Sequence, residues 1–249
     1  KQTGKKKLTE YDNTTSTSEY TQIDKYGGFY VARYEAGIAS TITEFTTNQT
    51  NTRSNQVYNL NGIPQSKAGI VPWNFIDWTH AETNAESMYN NYYVQSGLIT
   101  GTQWDVILNT MINKTDLTKD DISTDSNRWG NYMNTSIAYN GRLSKITYSS
   151  NWIAQPFGIL TSGKTTAYSS NAGDLLTTGA SDACKKMNIY DLAGNVWEWT
   201  LEYSNYSYGP CVIRAGSGID SDSEPPTYRM FDYTTNKYGL LGFRVSLFK

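Results

Sequence analysis

The segment Asn188-Ile-Tyr-Asp-Leu-Ala-Gly-Asn-Val-Trp-Glu-Trp-Thr200 combines β-prone apolar residues, a Gly-Asn turn and two carboxylates. It predicts a strand over 189–192, a tight turn over 193–195 and a second strand over 196–199 with large aromatic rings to bury. Asp191 and Glu198 lie on either side of flexible Gly194. A bend there can turn both carboxylates and the intervening carbonyls toward one point. Calcium prefers six to eight such oxygens, so we expect a cation here.

Length and composition limit the class of protein. With 249 residues, 38% of them hydrophobic, the chain can bury a substantial core, and nothing in it requires two domains. No run approaches the roughly 18 apolar residues of a membrane span, and no targeting signal opens the chain. The 21 basic and 23 acidic residues argue against nucleic acid or an anionic membrane as the main partner.

The pattern along the chain predicts one domain over 23–249, preceded by a loose polar tail or arm over 1–22 that contains Lys5–Lys7. Residues 29–36 are typical of a strand buried on both faces. One helix is predicted to begin at a capping box formed by Thr79 and Glu82, and a second at a box formed by Thr100 and Gln103. The second helix has a buried stripe of Trp104, Ile107, Leu108 and Met111.

Long loops dominate the second half. Residues 113–175 show little periodicity, and strands are predicted again over 211–217 and 242–248, where Phe243, Val245 and Leu247 lie on one face. These elements predict an α+β domain with a small, mostly antiparallel sheet.

Several motifs resemble the sulfatase-modifying-factor family, whose founding activity is formylglycine generation. They occur in the family's order over residue 24 to the C-terminus: 28–35, 98–104, 188–200, 214–217 and 242–244. The resemblance implies an elaborated C-type-lectin-like fold with small antiparallel sheets, two main helices and long loops. In that fold the terminal strands pair and the loops form the binding face.

The resemblance also implies ligands for a structural calcium ion. They are the side chains of Asp191 and Glu198 and the carbonyls of Gly194 and Val196. Many relatives have Asn at the position of Asp191. The Asp191 carboxylate still supplies an oxygen ligand, and it adds negative charge. The alternative is that the two carboxylates only accept hydrogen bonds from backbone amides of the turn.

The family's catalytic residues are replaced. Formylglycine generation resembles a copper-dependent oxidation that uses two cysteines, and these positions fall on Asp220 and Pro225. Iron-dependent relatives use several histidines, whereas this chain has His80 alone, in the first turn of a helix. We therefore expect neither copper nor iron and no enzymatic activity. Cys184 and Cys211 are expected either to form a disulfide or to be reduced core residues.

These observations predict a non-enzymatic recognition domain that binds a protein or glycan ligand at a surface. The chain is 14% aromatic, and its Tyr, Ser, Asn and Gly content is typical of recognition surfaces. It also resembles the variable proteins of diversity-generating retroelements. The expected ligand-facing residues are Ile219, Asp220, Asp222, Tyr228, Met230, Phe231, Asp232, Tyr233, Asn236 and Tyr238.

Two alternatives stay open: a divergent enzyme of the same family, and a structural module of a cell surface or phage tail. The expected location is extracellular, on a cell surface or on a phage particle, without membrane insertion. The sequence does not give the oligomeric state.

Overall fold

The computed structural model describes residues 27–37, 61–70, 72–91, 93–132, 135–138, 145–147, 167–169, 174–218, 220 and 224–248. The predicted tail over 1–22 lies outside these residues, as do Ile219 and Asp222 of the predicted ligand surface. None of the helices in the described ranges has the length and apolar character that a bilayer crossing requires.

In the described ranges the α-helices are α1 (Trp78–Met88), α2 (Gly101–Lys114) and α3 (Lys119–Ser123). Helix α2 begins as predicted, because the Thr100 hydroxyl accepts a hydrogen bond from the Gln103 amide and the Gln103 side chain accepts one from the Thr100 amide. The predicted start of α1 at Thr79 is wrong. Its N-cap is Asp77, whose carboxylate accepts from the His80 amide 3.0 Å away.

Two sheets form the centre of the domain. In the first, β1 (Tyr30–Val31) and β2 (Gln95–Leu98) pair with opposite sides of β13 (Val245–Phe248), both antiparallel. The terminal strands of the domain therefore pair, as the resemblance implies. The second sheet has the order β11-β10-β9-β12. Its strands are β9 (Trp197–Tyr203), β10 (Cys211–Arg214), β11 (Met230–Asp232) and β12 (Leu241–Phe243).

Most strand pairs are antiparallel, but β12 runs parallel to β9, with Leu241 opposite Trp197. Three two-stranded ladders complete the described part of the chain. They pair β3 (Ser136–Ala138) with β5 (Ala167–Ser169), β4 (Lys145–Thr147) with β6 (Asp174–Leu176), and β7 (Lys185–Lys186) with β8 (Ile189–Tyr190). The predicted α+β class is confirmed.

Residues 188–200 do not form a simple hairpin, in contrast to the predicted strand-turn-strand. Strand β8 pairs with β7, whereas β9 pairs with β10 and β12, so the two strands belong to different sheets. The reason is the backbone between them. Asp191, Gly194 and Asn195 have left-handed φ angles of 56°, 74° and 67°, which carry the chain through a wider bend than a two-residue turn.

The predicted strand over 29–36 is also shorter, because only Tyr30 and Val31 form regular pairs with β13. Beyond them single amides continue the contact: Ala32 donates to the Val245 carbonyl and Ala36 to the Phe243 carbonyl. Glu35 lies within this irregular part and is fully buried.

Two hydrophobic clusters pack against the sheets. The first contains Trp73, Trp78, Trp199 and Phe243, and the second contains α2 residues, including Trp104 and Met111, with Trp129 and Tyr132. The predicted stripe of α2 is confirmed, since all four of its residues are buried. These clusters hold the bend between β8 and β9 in the interior of the domain.

Candidate functional site

The bend between β8 and β9 is part of the core. Every residue from Asp191 to Thr200 is buried. Gly194 is required there by its left-handed φ and by a close approach, because a Cβ at this position would lie 2.1 Å from the Asn131 carbonyl oxygen. Asn131 accepts from the Asn195 amide at 2.9 Å and donates to the Ala193 carbonyl at 3.1 Å.

An ion pair crosses this bend. Nη2 of Arg244 lies 2.7 Å from Oε1 of Glu198, and Nε lies 3.2 Å and 3.1 Å from its two carboxylate oxygens. Both side chains are 0% exposed. The guanidinium also donates to the carbonyls of Ala32 at 3.1 Å, Tyr190 at 2.9 Å and Asp191 at 3.3 Å. Arg244, between β12 and β13, thereby connects this part of the chain to the bend and to the segment after β1.

Asp191 is also fully buried, and its two carboxylate oxygens differ. Oδ2 accepts from the Gly179 amide at 2.8 Å, whereas Oδ1 is a buried atom without a hydrogen-bond partner in the described structure. Burial raises the pKa of Asp191 to about 7, although the Gly179 amide and Arg244 favour the charged form.

Glu35 is a third buried carboxyl beside this bend. Its Oε2 accepts from Nδ2 of Asn195 at 2.7 Å, and its Oε1 is another buried oxygen without a partner in the described ranges. Burial is the main cause that raises the pKa of Glu35, and the nearby charges of Asp191 and Glu198 raise it further. The sequence analysis missed Glu35; the available signal was a carboxylate within a run otherwise typical of a buried strand.

Of the predicted calcium ligands, Asp191 and Glu198 both contact Arg244, through a backbone carbonyl and a carboxylate respectively, and their side chains are not equally available. Asp191 offers one unpaired oxygen, which suits a hard cation. Both oxygens of Glu198 contact Arg244. Asp191 therefore has an oxygen free for a cation, whereas a cation at Glu198 would compete with the guanidinium of Arg244.

The predicted ligand surface divides into outward and inward residues. Tyr228, Phe231 and Tyr233 are exposed. Met230 and Tyr238 pack against the first hydrophobic cluster, and Asp232 is buried. Asn236 is half-buried and donates to Asp232. Asp220 is half-buried and accepts a hydrogen bond from the Ser217 hydroxyl at 2.5 Å.

The loop between β9 and β10 adds two exposed tyrosines that the sequence analysis missed, Tyr206 and Tyr208. The ring of Tyr206 stacks on Phe231 with centroids 5.2 Å apart and 13° between the planes. Gly209 fixes the contact, because a Cβ there would lie 2.9 Å from the Phe231 backbone. The sequence signal was Ser204-Asn-Tyr-Ser-Tyr-Gly209, a run of residue types common in binding loops. We define Tyr206, Tyr208, Phe231 and Tyr233 as the aromatic surface.

A charge network lies under the loop that leads into β11. Arg214, fully buried, is 2.9 Å from Asp105 of α2 and 3.4 Å from Glu202 of β9. Arg229 contacts the same two acids and is 2.7 Å from Glu202. This alternation of two cations and two anions connects the loop to the scaffold.

The chain's thiols and its histidine have ordinary environments. Cys184 and Cys211 are both buried free thiols, which answers the question left open by the sequence. Burial raises the pKa of Cys211 to about 12 and that of Cys184 well above its usual value, so neither is a ready thiolate. His80 contacts Asp77 through Nδ1 at 2.7 Å, within the first turn of α1.

A family model supports the resemblance to the sulfatase-modifying-factor family. The family model for a sulfatase-modifying factor enzyme 1-like domain matches residues 8–247. No curated protein matches the chain. Among solved structures, Treponema denticola variable protein 1 aligns with a TM-score of 0.40 and 14% sequence identity, over 82% of this chain and 78% of that chain.

Proposed function

The chain belongs to the sulfatase-modifying factor enzyme 1-like domain family, and from this premise we propose that it is a ligand-recognition domain rather than a catalyst. The family's two catalytic cysteine positions fall on Asp220 and Pro225, which cannot act as thiolates. Function depends on the residues of a site and not on the fold, so the family alone does not imply the oxidation.

The observation that carries the proposal is the aromatic surface. Tyr206 is 64% exposed and stacks on the exposed ring of Phe231, and Tyr208 in the same loop is 78% exposed. Tyr233, directly after β11, is also exposed. Exposed rings of this kind supply contact area at a low loss of side-chain entropy on binding. The neighbouring Ser, Asn and Thr side chains add neutral hydrogen-bonding groups, so the surface suits an uncharged patch of a protein or glycan.

Buried residues and ion pairs next to the aromatic surface hold it in place. Met230 and Asp232 alternate with the exposed residues of β11 and are held by the core and by hydrogen bonds. Arg229 is held by Asp105 and Glu202. A preorganised surface loses less entropy when it binds, which favours a recognition role.

The chain offers closely matched controls for the binding test. We propose to probe glycan and protein arrays with the purified chain and then measure affinity for any ligand found. Tyr206→Ala and Tyr208→Ala should each weaken binding by about 2 kcal/mol, or roughly 30-fold, if they are central contacts. Tyr30, 64% exposed, and Tyr93, 77% exposed, lie on other elements. Their substitution by Ala should leave affinity within about twofold.

Equal losses from both pairs of variants would exclude the aromatic surface as the binding site. A divergent enzyme is the competing function, and turnover of a cysteine-containing sulfatase peptide would overturn the recognition proposal. Concentration-dependent self-assembly without any array ligand would favour a structural module.

We propose three further properties of this protein. The ligand surface is diversified by a retroelement, the domain acts outside the cell, on a cell surface or on a phage particle, and a structural calcium ion stiffens the scaffold. A neighbouring template repeat with adenine-specific differences and a reverse transcriptase gene would support the first. Their absence from the genomic neighbourhood would remove it.

A further inference from the structure

The loop between β9 and β10, residues 204–210, is closed by its own hydrogen bonds. At its base the Ser204 amide donates to the Pro210 carbonyl at 2.8 Å, and the Ser204 hydroxyl donates to the Gly209 carbonyl at 2.7 Å. The same hydroxyl accepts from the Tyr206 amide at 3.1 Å, and the Gly209 amide donates to the Tyr206 carbonyl at 3.3 Å. Because these bonds connect both ends of the loop to its middle, the loop should move as one unit against its surroundings.

Two contacts hold this loop against β11. Gly209 lies on the backbone of the strand, where a Cβ would be 2.9 Å from the carbonyl carbon of Phe231 and 3.0 Å from the Asp232 amide nitrogen. The ring of Tyr206 stacks on the Phe231 ring, with centroids 5.2 Å apart. The first contact requires a small residue at 209, whereas the second requires a planar side chain at 231. The pose of the loop therefore depends in part on one side chain of the neighbouring strand.

Tyr208 receives its position through the same loop. Its side chain is 78% exposed, and within the described part of the chain no ring contact joins it to Phe231. The residues on either side of it are fixed instead, Tyr206 by the stack and Gly209 by its close approach to β11. A shift of the loop on β11 would therefore move Tyr208 even without a ring contact to residue 231.

We propose that Phe231 is the positioning residue of the β9–β10 loop, and that residue 231 thereby determines where Tyr206 and Tyr208 meet a ligand. The inference rests on the proposed recognition function and deepens it. Residue 231 acts on specificity in two ways, through its own exposed surface and through the pose of a loop from another part of the chain. Residues 206 and 231 should therefore be selected as a pair, because a planar side chain at 231 keeps the loop on β11 and a small or aliphatic one releases it.

The test follows the loop in the full chain without any ligand. Phe231→Ala should speed amide hydrogen exchange at Tyr206 and Gly209 by about fivefold, the size expected for the loss of one aromatic pair. In NMR spectra of protein with isotope-labelled tyrosine, the ring resonances of both Tyr206 and Tyr208 should shift. The Tm should stay within about 3 °C of wild type, because Phe231 is a surface residue. A shift at Tyr208 with an unchanged Tm separates positioning of the loop from a general loss of structure.

Four further variants complete the test. Phe231→Tyr keeps the planar ring and should restore the wild-type exchange rates and tyrosine resonances. Phe231→Leu keeps apolar volume without a planar face, so it should behave like Phe231→Ala, and it replaces that variant if the smaller one does not fold. Gly209→Ala should release the loop in the same way, because the added methyl group would press on the backbone of β11. Tyr233→Ala removes an exposed ring outside the stack and should leave exchange within about twofold of wild type.

The results separate this proposal from the recognition function on which it rests. Wild-type exchange rates and Tyr208 resonances in both Phe231→Leu and Gly209→Ala would overturn the positioning role. Equal effects of Tyr233→Ala and Phe231→Ala would also overturn it, because the stack would then have no special part. Absence of any signal on the glycan and protein arrays would refute recognition instead, and the measurements on the loop would stand.

Discussion

Replacement of Arg244 by Met should be among the most destabilising changes in this domain. Met keeps much of the side-chain volume but leaves Glu198 as a buried, unpaired carboxylate, for which about 3–5 kcal/mol is typical. It also removes the donors to the carbonyls of Ala32, Tyr190 and Asp191, each worth about 1 kcal/mol net. The sum, roughly 6–8 kcal/mol, approaches the whole stability of many domains.

Urea unfolding followed by tryptophan fluorescence measures this loss. Arg244→Lys should retain part of the stability, since an ammonium group keeps the charge but lacks the planar set of five donors. The double variant Glu198→Gln with Arg244→Met should be more stable than the sum of its single changes predicts, because neither partner is then left charged and unpaired.

Arg128 provides the exposed control. It also contacts two carboxylates, Asp116 and Asp121, but its side chain is 44% exposed. Arg128→Met should therefore cost no more than about 1 kcal/mol. An Arg244→Met protein within 1 kcal/mol of wild type, or equal losses at both arginines, would refute the reasoning that burial determines the cost.

Three further changes test other parts of the structure. Thr100→Ala should destabilise α2 by about 1 kcal/mol, whereas Thr79→Ala should change little, because the cap of α1 is Asp77; equal effects in urea unfolding would contradict this. Burial and the charge of Asp220 raise the pKa of Glu224 to about 7. The stabilisation that protonated Glu224 gives the folded state should therefore be present below about pH 4.5 and lost as the pH rises through 7. Glu224→Gln should flatten the pH dependence of the Tm measured across this range. Without reductant, alkylation should leave both cysteines unmodified in the native protein and label both after denaturation; an unlabelled pair would indicate a disulfide.

Local sequence rules predicted α2 because its determinants are local. The capping box and the apolar stripe lie within one element, and both are confirmed. The cap of α1 is local as well, since Asp77 accepts from the His80 amide, but a distant contact adds to the first turn of this helix. Trp78 joins the helix with its indole N–H bonded to the Thr200 carbonyl at 2.9 Å, a partner far away in sequence. A capping pattern read over four residues contains no information about that contact.

The same limit explains the buried charges. The alternation over 242–248 predicted one buried face, yet Arg244 and Ser246 on the other face are also fully buried. Arg244 lies directly before β13 and is buried against Glu198, and Ser246 within β13 donates from its hydroxyl to the Gly97 carbonyl. The spacing around Gly194 predicted that the oxygens of the bend face one point. It did not indicate that Arg244 would pair with Glu198, or that Glu35 would arrive from the first strand, since both contacts form only when the terminal strands pair.

Strand β11 alternates between residues held by the core and an exposed residue. Asp232 accepts from the Tyr233 amide at 2.9 Å and from the Tyr238 hydroxyl at 3.0 Å, so its replacement would disturb the turn that follows. Phe231 and Tyr233 on either side are exposed, and exchanges there change contact area with little effect on folding. A chain under selection for new ligands should therefore vary at Phe231, Tyr233 and the stacked Tyr206, while it keeps Asp232. If variants in a natural series changed Asp232 as freely as its neighbours, the alternation of β11 would not be the basis of the binding surface.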